Sequence, residues 1–145
     1  MFKHILLPTD GTAASSKAAH VAVELAKRCG ARISALHVVE PAPARPHRGG
    51  VATATEIDRI VELQQSSALY LGHVEELARA GGVTCSVAEV TDGAPCHAII
   101  EFAAQHGCDL IVMGSHGKHG LKQLILGSQT QKVLLASHLP VLVCP

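Results

Sequence analysis

The chain contains very few aromatic side chains: one Tyr, two Phe and no Trp among 145 residues. Proteins that bind single-stranded nucleic acid stack bases on aromatic rings and carry a broad basic surface. The scarcity of rings and the formal net charge of zero both argue against a nucleic-acid partner.

The chain also lacks a long apolar run. Although 48% of the residues are hydrophobic, no run approaches the length of about 18 residues that a membrane-spanning helix needs, so we expect no membrane partner. The apolar stretch within residues 1–8 is too short for a signal peptide, and we expect a cytoplasmic protein.

Paired cysteines are missing as well. The five cysteines are odd in number and form no CxxC motif, which disfavours a redox or zinc site. Scattered thiols in helix-like and strand-like segments are typical of a reducing compartment. They are Cys29, Cys85, Cys96, Cys108 and Cys144.

The ten histidines form no set that indicates catalysis or metal binding. His116 and His119 lie three residues apart, but no paired carboxylate or Cys completes a ligand set. His37 lies within a predicted strand and is interpreted as a packed or hydrogen-bonded residue. We therefore predict no catalytic residue and no metal-ligand cluster.

Charge is distributed unevenly along the chain. Residues 1–50 carry seven Lys or Arg and three acids, residues 51–112 carry two and nine, and residues 113–145 carry three lysines and no carboxylate. The absence of negative side chains from the last segment favours an anionic ligand there. Lys118 is either a contact to such a ligand or a solvated side chain, and Lys122 and Lys132 are interpreted as solvated.

Apolar runs alternate with helical periods, and this order predicts one α/β domain over residues 1–145: an open, parallel, five-stranded sheet with helices on both faces. The third strand, whose polar and apolar residues alternate, is expected at an edge. The predicted strands are 3–8, 32–39, about 83–87, 109–113 and 140–144, and the predicted helices are 12–29, 53–80, 95–107 and 128–137.

Two segments near the middle of the chain give local structural signals. Residues 41–50, rich in Pro, Gly and Arg, are predicted to form an irregular, mobile loop. Thr53-x-x-Glu56 is a capping box at the start of the second helix.

The most specific motif is Gly114-Ser-His-Gly117, followed after nine residues by Gly127-Ser128 and then by Thr130. It follows the fourth predicted strand, at the carboxyl edge of the sheet where nucleotides bind. Glycines there let backbone N–H groups approach phosphate oxygens, and a helix N-terminus adds a favourable dipole. The pattern is neither a Walker A motif nor a GxGxxG fingerprint. Ser128 has the alternative role of a helix N-cap.

A second candidate segment is Pro8-Thr9-Asp10-Gly11, which ends the first strand. In a doubly wound sheet this strand borders the point where the strand order reverses. Asp10 could bind a ribose hydroxyl or help to hold Mg²⁺ beside phosphates. Its structural alternative is the N-cap of the first helix, and the two roles do not exclude each other.

These residues resemble the universal stress protein family, specifically its ATP-binding branch, whose pattern G-x2-G-x9-G-[ST] is matched by Gly114, Gly117, Gly127 and Ser128. Further landmarks are Ile5-Leu-Leu-Pro-Thr-Asp10, Leu36-His-Val-Val39, Gly93-x-Pro95 and Pro140-Val-Leu-Val143. The resemblance covers essentially the whole chain. It implies a Rossmann-like fold of the adenine nucleotide alpha-hydrolase type.

The resemblance also implies a nucleotide site, residue by residue. Thr9 and Asp10 would lie near ribose and phosphates, and Val38 would contact adenine. Phosphates would be held by backbone and hydroxyl donors of Gly117, Gly127, Ser128 and Thr130. The full implied set is Pro8, Thr9, Asp10, Val38, Met113, Gly114, Gly117, Lys118, Gly127, Ser128, Gln129 and Thr130. Gln129 departs from the family, which usually has a small apolar residue at that position.

The resulting hypothesis is a homodimer, paired through Val141–Val143, that binds ATP with Mg²⁺ and couples occupancy to an unknown protein partner. The 41–50 loop is the candidate for the element that changes. Two alternatives stay open. One is a slow ATPase, although the loop after the first strand lacks the SGGxDS-like sequence of pyrophosphate-releasing relatives. The other is an interaction module that binds no nucleotide.

Overall fold

The structure is a computed structural model that describes residues 1–42, 50, 52–117 and 126–145. Strands and helices alternate along the chain, as the sequence predicted. In chain order they are β1 (His4–Pro8), α1 (Ala13–Cys29), β2 (Arg32–Val39), α2 (Ala54–Ala80), β3 (Cys85–Thr91), α3 (Pro95–Gln105), β4 (Leu110–Gly114), α4 (Ser128–Ala136) and β5 (Val141–Cys144).

The five strands form one sheet in the order β3-β2-β1-β4-β5, and every neighbouring pair is parallel. The chain builds outward from β1 through β2 to β3, and then crosses to the other side of β1 for β4 and β5. The strand order therefore reverses between β1 and β4, which places a crevice at the carboxyl ends of these two strands. The predicted fold class is confirmed, and β3 lies at an edge as expected.

Both faces of the sheet are buried. Along β1, Ile5 and Leu7 face the layer of α1 and α2, whereas Leu6 faces the layer of α3 and α4, and all three are fully buried. Burial on both faces explains why the sequence of β1 contains a continuous run of apolar residues. Within the described ranges, no helix combines the length and apolar character needed to cross a membrane.

Local signals fix most element ends. The capping box of Thr53 and Glu56 is present, and Pro95 occupies the first turn of α3, both as predicted. Helix α1 ends at Gly30, whose φ of 66° is left-handed and favours glycine. The third helix ends at Gln105, two residues earlier than predicted.

At the amino ends of the strands a closed polar network joins β1, β2 and β3. The imidazole of His4 lies 2.8 Å from Ser34 Oγ, which lies 3.0 Å from Ser86 Oγ. The other ring nitrogen, Nδ1, is 3.1 Å from the His106 carbonyl oxygen and 3.1 Å from an Arg32 guanidinium nitrogen. A carbonyl needs a donor and a guanidinium needs an acceptor, so only one of these two bonds forms at a time.

The environment of this network disfavours charge on His4 and on the neighbouring Cys108. Burial, followed by the charge of Arg32, lowers the pKa of His4. Burial raises the pKa of the Cys108 thiol to about 11. Asp109 completes this end of the sheet by accepting the backbone N–H groups of Lys3 and His4.

Candidate functional site

A cavity of about 460 Å³ lies at the carboxyl ends of β1, β2 and β4. Its volume is in the range of small-molecule sites, and its position is the crevice that the strand order creates. Eleven of the twelve residues predicted from the sequence line it: Pro8, Thr9, Asp10, Val38, Met113, Gly114, Gly117, Gly127, Ser128, Gln129 and Thr130. The twelfth, Lys118, lies outside the described residues, as do His119 and most of the predicted 41–50 loop.

A larger and more open depression, of about 760 Å³, lies between α2 and β3. Its walls include Leu69, Glu75 and Arg79 and contain none of the predicted site residues. The cavity at the strand ends is therefore the candidate site.

The turn after β1 is organised by Asp10. Its Oδ1 accepts the backbone N–H of Thr12 at 3.0 Å and the Thr12 hydroxyl at 2.6 Å. Thr12, in turn, is the N-cap of α1 and accepts the N–H of Ser15. The alternative role of Asp10 as the N-cap was therefore wrong by two residues: the carboxylate supports the capping residue. Its other oxygen faces Gly117, where a Cβ would lie 3.0 Å from Oδ2.

Two rings, those of Tyr70 and His37, pack against the same turn. Gly11 has a φ of 77°, and a Cβ there would overlap the Tyr70 ring, so the ring of Tyr70 packs directly on the glycine. His37 meets Tyr70 edge to face, with centroids 5.3 Å apart. Because a carbonyl only accepts, Nδ1–H of His37 donates to the Thr9 carbonyl, at 2.8 Å. The interpretation of His37 as a hydrogen-bonded strand residue is confirmed.

The glycines of the motif are required by close packing. A Cβ on Gly114 would lie 2.8 Å from the backbone carbon of Ala14 and 2.9 Å from the nitrogen of Ser15. A Cβ on Gly127 would lie 3.1 Å from the Ser115 carbonyl oxygen and 3.2 Å from the His116 Cα. Gly114 therefore joins β4 to α1, and Gly127 joins the start of α4 to the turn after β4.

Two groups expected to donate to phosphates have internal partners instead. The N–H of Gly127 donates to the Ser115 carbonyl at 2.6 Å, and the hydroxyl of the buried Thr130 donates to the Gly114 carbonyl at 3.0 Å. Both bonds tie α4 to the end of β4. In this arrangement neither proton is available to a ligand.

The donors that remain belong to the first turn of α4. The first intrahelical bond runs from the N–H of Gln131 to the Gly127 carbonyl, at 3.0 Å. The N–H groups of Ser128, Gln129 and Thr130 precede it, and a helix leaves such groups without an intrahelical partner. Gly127 is the N-cap and contributes no side chain, so the alternative role of Ser128 as the N-cap was wrong. The positive end of the helix dipole and these donors favour an anion.

Gln129 reaches away from α4 to α3. Its Oε1 accepts the backbone N–H of Cys96 at 3.1 Å, in the first turn of α3. The N-cap of α3, Ala94, provides no side-chain cap, so Gln129 supplies this contact from another helix. Burial raises the pKa of the adjacent Cys96 thiol, with a smaller opposing effect of Lys132.

Other lining residues were not assigned from the sequence: Ser15, Leu36, His37, Val39, Glu40, Pro41, Arg59, Leu63, Pro95, Ile99 and His116. Those of residues 36–41 flank Val38, so their proximity to the site was a usable signal. Arg59 and Leu63 lie one turn apart on α2, but nothing local indicates which way that helix faces. They could be found only from the packing.

The described residues contain no group of three or more His, Cys, Asp or Glu side chains that converge as metal ligands. Among the described residues that line the cavity, the carboxylates are Asp10 and Glu40 and the one Lys or Arg is Arg59. A divalent cation would therefore need ligand oxygens from a bound molecule in addition to Asp10.

A parallel sheet with a glycine-rich cavity at its switch point defines a Rossmann-like α/β protein with a candidate small-molecule site. The model of the "Universal stress protein family" matches residues 1–145. The chain belongs to the universal stress protein family.

Relatives of this family match along nearly the whole chain. Universal stress protein MJ0531 of Methanocaldococcus jannaschii is 36% identical over 145 residues, which cover 99% of this chain and 82% of the relative. Universal stress protein YxiE of Bacillus subtilis is 37% identical over 147 residues, which cover 99% of each.

Solved structures share the fold. Universal stress protein UspA from Lactobacillus plantarum has a TM-score of 0.72 at 27% identity, and the match covers 99% of this chain and 98% of that one. A universal stress protein from Archaeoglobus fulgidus, solved in complex with dAMP, has a TM-score of 0.68 at 19% identity, with 100% and 98% covered. At that identity the likeness establishes the fold alone.

Proposed function

We propose that this protein binds an adenine nucleotide in the cavity at the strand ends, with ATP and Mg²⁺ as the ligand. The observation that carries the proposal is the placement of the motif residues: both glycine turns and the start of α4 line one cavity. The segments 113–117 and 126–130 contain no carboxylate. An anionic ligand therefore meets N–H donors and a helix dipole without facing a negative side chain in these segments.

The two sides of the cavity suit the two ends of a nucleotide. On the β2 side, apolar residues such as Val38 and Ile99 line the wall, which suits a base. On the β4 side, Gly117, Gly127 and Ser128 line the wall, which suits phosphates. The dAMP bound by the Archaeoglobus fulgidus protein is a ligand of this chemical class in the same fold.

Mg²⁺ fits the residues that are present when it arrives with phosphates. Mg²⁺ is usually held by one or two carboxylates together with substrate phosphates and water. Asp10 supplies one carboxylate, which accepts two hydrogen bonds from Thr12 through Oδ1 and lies beside the Gly117 turn. Bound there, the ion would neutralise phosphate charge beside Asp10.

The decisive experiment begins with the freshly purified protein. Denaturation followed by anion-exchange chromatography of the supernatant identifies any retained nucleotide, and titration calorimetry then measures ATP affinity with and without Mg²⁺. We expect retained or readily bound ATP, with affinity increased by Mg²⁺. A protein that arrives empty and takes up no ATP with Mg²⁺ contradicts the proposal and favours an interaction module.

Asp10→Asn tests the place of the ion. The amide keeps an acceptor for Thr12 but removes the charge, so we expect Mg²⁺ to lose about tenfold or more of its enhancement of ATP affinity. Asp58→Asn is the matched control, since Asp58 is exposed on α2 and does not line the cavity. Equal behaviour of the two variants would exclude Asp10 as the ion's carboxylate.

The proposal includes a homodimer formed through β5. This strand lies at the edge of the sheet. Leu142 within it is 38% exposed, and Leu135 on α4 is 89% exposed. We expect Leu142→Glu to yield monomers in light scattering after size exclusion. Leu69→Glu, at a 72% exposed position on α2, should remain dimeric. Monomeric wild-type protein at high concentration would remove this part of the proposal.

We propose that ATP bound in the cavity regulates the affinity of this protein for a partner protein. Linkage requires that ATP change the affinity for a partner by the same factor by which the partner changes the affinity for ATP. The homodimer allows this to be measured without knowing another partner, because its dissociation constant can be compared with and without ATP. A reducing, cytoplasmic setting is part of the proposal and is supported by five free thiols.

A further inference from the structure

Gln129 occupies a position between the two helices that close the cavity. It is the second residue of α4, directly after Ser128, and it is half-buried in the cavity wall. Its Oε1 accepts the N–H of Cys96 at the start of α3. The side chain is thus fixed at one end by a neighbouring helix.

This contact also fixes the orientation of the amide. The backbone N–H of Cys96 needs an acceptor, so the oxygen of the amide must face α3. The nitrogen, with its two N–H donors, lies on the other branch of the same planar group. With its oxygen turned to α3, the cavity-lining side chain of Gln129 has two N–H donors and no second acceptor left to offer a ligand.

We propose that Gln129 is a ligand-binding residue: its Nε2 donates to an anionic oxygen of the bound molecule while Oε1 is held by Cys96. The inference rests on the proposed nucleotide site and adds a donor at the end where the phosphates are expected. It also compensates for the protons of Gly127 and Thr130, which have internal partners.

The role has a consequence for specificity. The N–H groups of an amide form stronger hydrogen bonds with an anionic acceptor than with a neutral one. Gln129 should therefore contribute more to the binding of a phosphorylated ligand than to that of a ligand without phosphates. Gln129 should therefore increase the affinity for ATP relative to adenosine. A residue that only joined α3 to α4 would change both affinities together.

The test is Gln129→Glu, measured by calorimetry with ATP and with adenosine. The carboxylate keeps an acceptor for Cys96 and places a negative charge at the N-terminus of α3, where the helix dipole favours it. The fold should therefore be retained, which thermal unfolding checks. In place of the two donors, the carboxylate presents an anionic oxygen to the phosphates.

The matched control is Gln131→Glu. Gln131 lies two residues further along α4, is exposed and does not line the cavity. Gln131→Glu therefore introduces the same change of charge close to the cavity but at a side chain that does not contact the ligand. We expect Gln129→Glu to weaken ATP binding by about tenfold or more beyond Gln131→Glu, and to leave adenosine binding within about twofold of the wild type.

Each other outcome overturns the inference. If both variants weaken ATP equally, the effect is that of general charge, and Gln129 is not a contact. If Gln129→Glu weakens ATP and adenosine by the same factor, the residue acts through the structure of the wall. Failure of the wild type to bind either ligand is a different result, because it contradicts the proposed nucleotide site itself.

Gln129→Met separates the two functions of the side chain. It has a similar length and removes both the acceptor and the donors. If Gln129 contacts the ligand, this variant should lose ATP affinity even where circular dichroism shows an intact fold, and its loss should be smaller than that of Gln129→Glu because no repulsion is added. A Met variant that binds ATP like the wild type would show that the donors are not used.

Discussion

At the amino ends of the strands, His4, Ser34 and Ser86 hydrogen-bond to one another in a closed network. At the carboxyl ends, Asp10 and Gln129 also accept hydrogen bonds from within the protein, but both of them line a cavity. Both ends are therefore polar, and both contain a buried histidine. The difference shows that burial of polar groups alone does not mark a ligand site. What marks the candidate site is that its hydrogen-bonded polar groups also line a cavity of about 460 Å³.

The largest effect on the carboxyl end of the sheet is expected from a substitution of Gly114. A Val side chain there would overlap the backbone of Ala14 and Ser15, so β4 could not keep its contact with α1. We expect Gly114→Val to lower the free energy of unfolding by about 3 kcal/mol or more, as measured by denaturant titration. Gly93→Ala, at a glycine with open space around it, is the control. A stable Val variant would refute the packing argument.

The closed network is tested by His4→Ala. The substitution removes the ring that bonds Ser34 and leaves Ser86 as the remaining partner of that hydroxyl, and we expect the free energy of unfolding to fall by about 2 kcal/mol. Nucleotide affinity of the folded protein should stay within about twofold of the wild type, because the change is at the opposite end of the sheet. The exposed His20 provides the control through His20→Ala. A large loss of affinity in the His4 variant would mean that the two ends are not independent.

The same histidine predicts a loss of stability in acid. Burial and Arg32 lower the pKa of His4 below its ordinary value of 6.5, so the unfolded chain binds a proton more readily than the folded one. The contribution to stability is therefore complete above pH 6.5 and is lost as the pH falls below it, until the folded His4 is protonated.

Denaturant midpoints at about pH 7.5 and about pH 5.5 measure this loss. His4→Asn should lose less stability between the two pH values than the wild type does. An equal loss would assign the acid sensitivity to other histidines.

A smaller effect is expected at Ser67, a buried hydroxyl that belongs to neither end. Within the described part of the chain, its Oγ is the buried side-chain oxygen without a hydrogen-bond partner. We expect Ser67→Ala to raise the free energy of unfolding by about 1 kcal/mol, visible as a higher melting temperature. The half-buried Ser66 supplies a control, and destabilisation by the Ser67 substitution alone would indicate a bonded hydroxyl.

Much of the fold could be predicted because its signals are local. Alternating apolar runs indicated the parallel sheet, and the Thr53–Glu56 capping box needed only three residues of separation. The cavity could be located for a related reason: β1 and β4 are adjacent, so motifs that follow each of them must meet at one edge.

The remaining contacts could not be predicted because they join distant parts of the chain. Gln129 binds Cys96 across 33 residues, and its direction depends on how α3 packs against α4. The capping role of Thr12 was missed because Asp10 is an equally good capping residue type. Only the backbone path of the turn distinguishes the two.

The ring of Tyr70 has a practical consequence. It lies on Gly11, in the turn that carries Asp10, and meets His37 at its edge. Since the chain has one Tyr, no Trp and two Phe, which emit only weakly, the ring of Tyr70 dominates its intrinsic ultraviolet emission. The fluorescence of Tyr70 can therefore be used to follow ligand binding in real time without an added label.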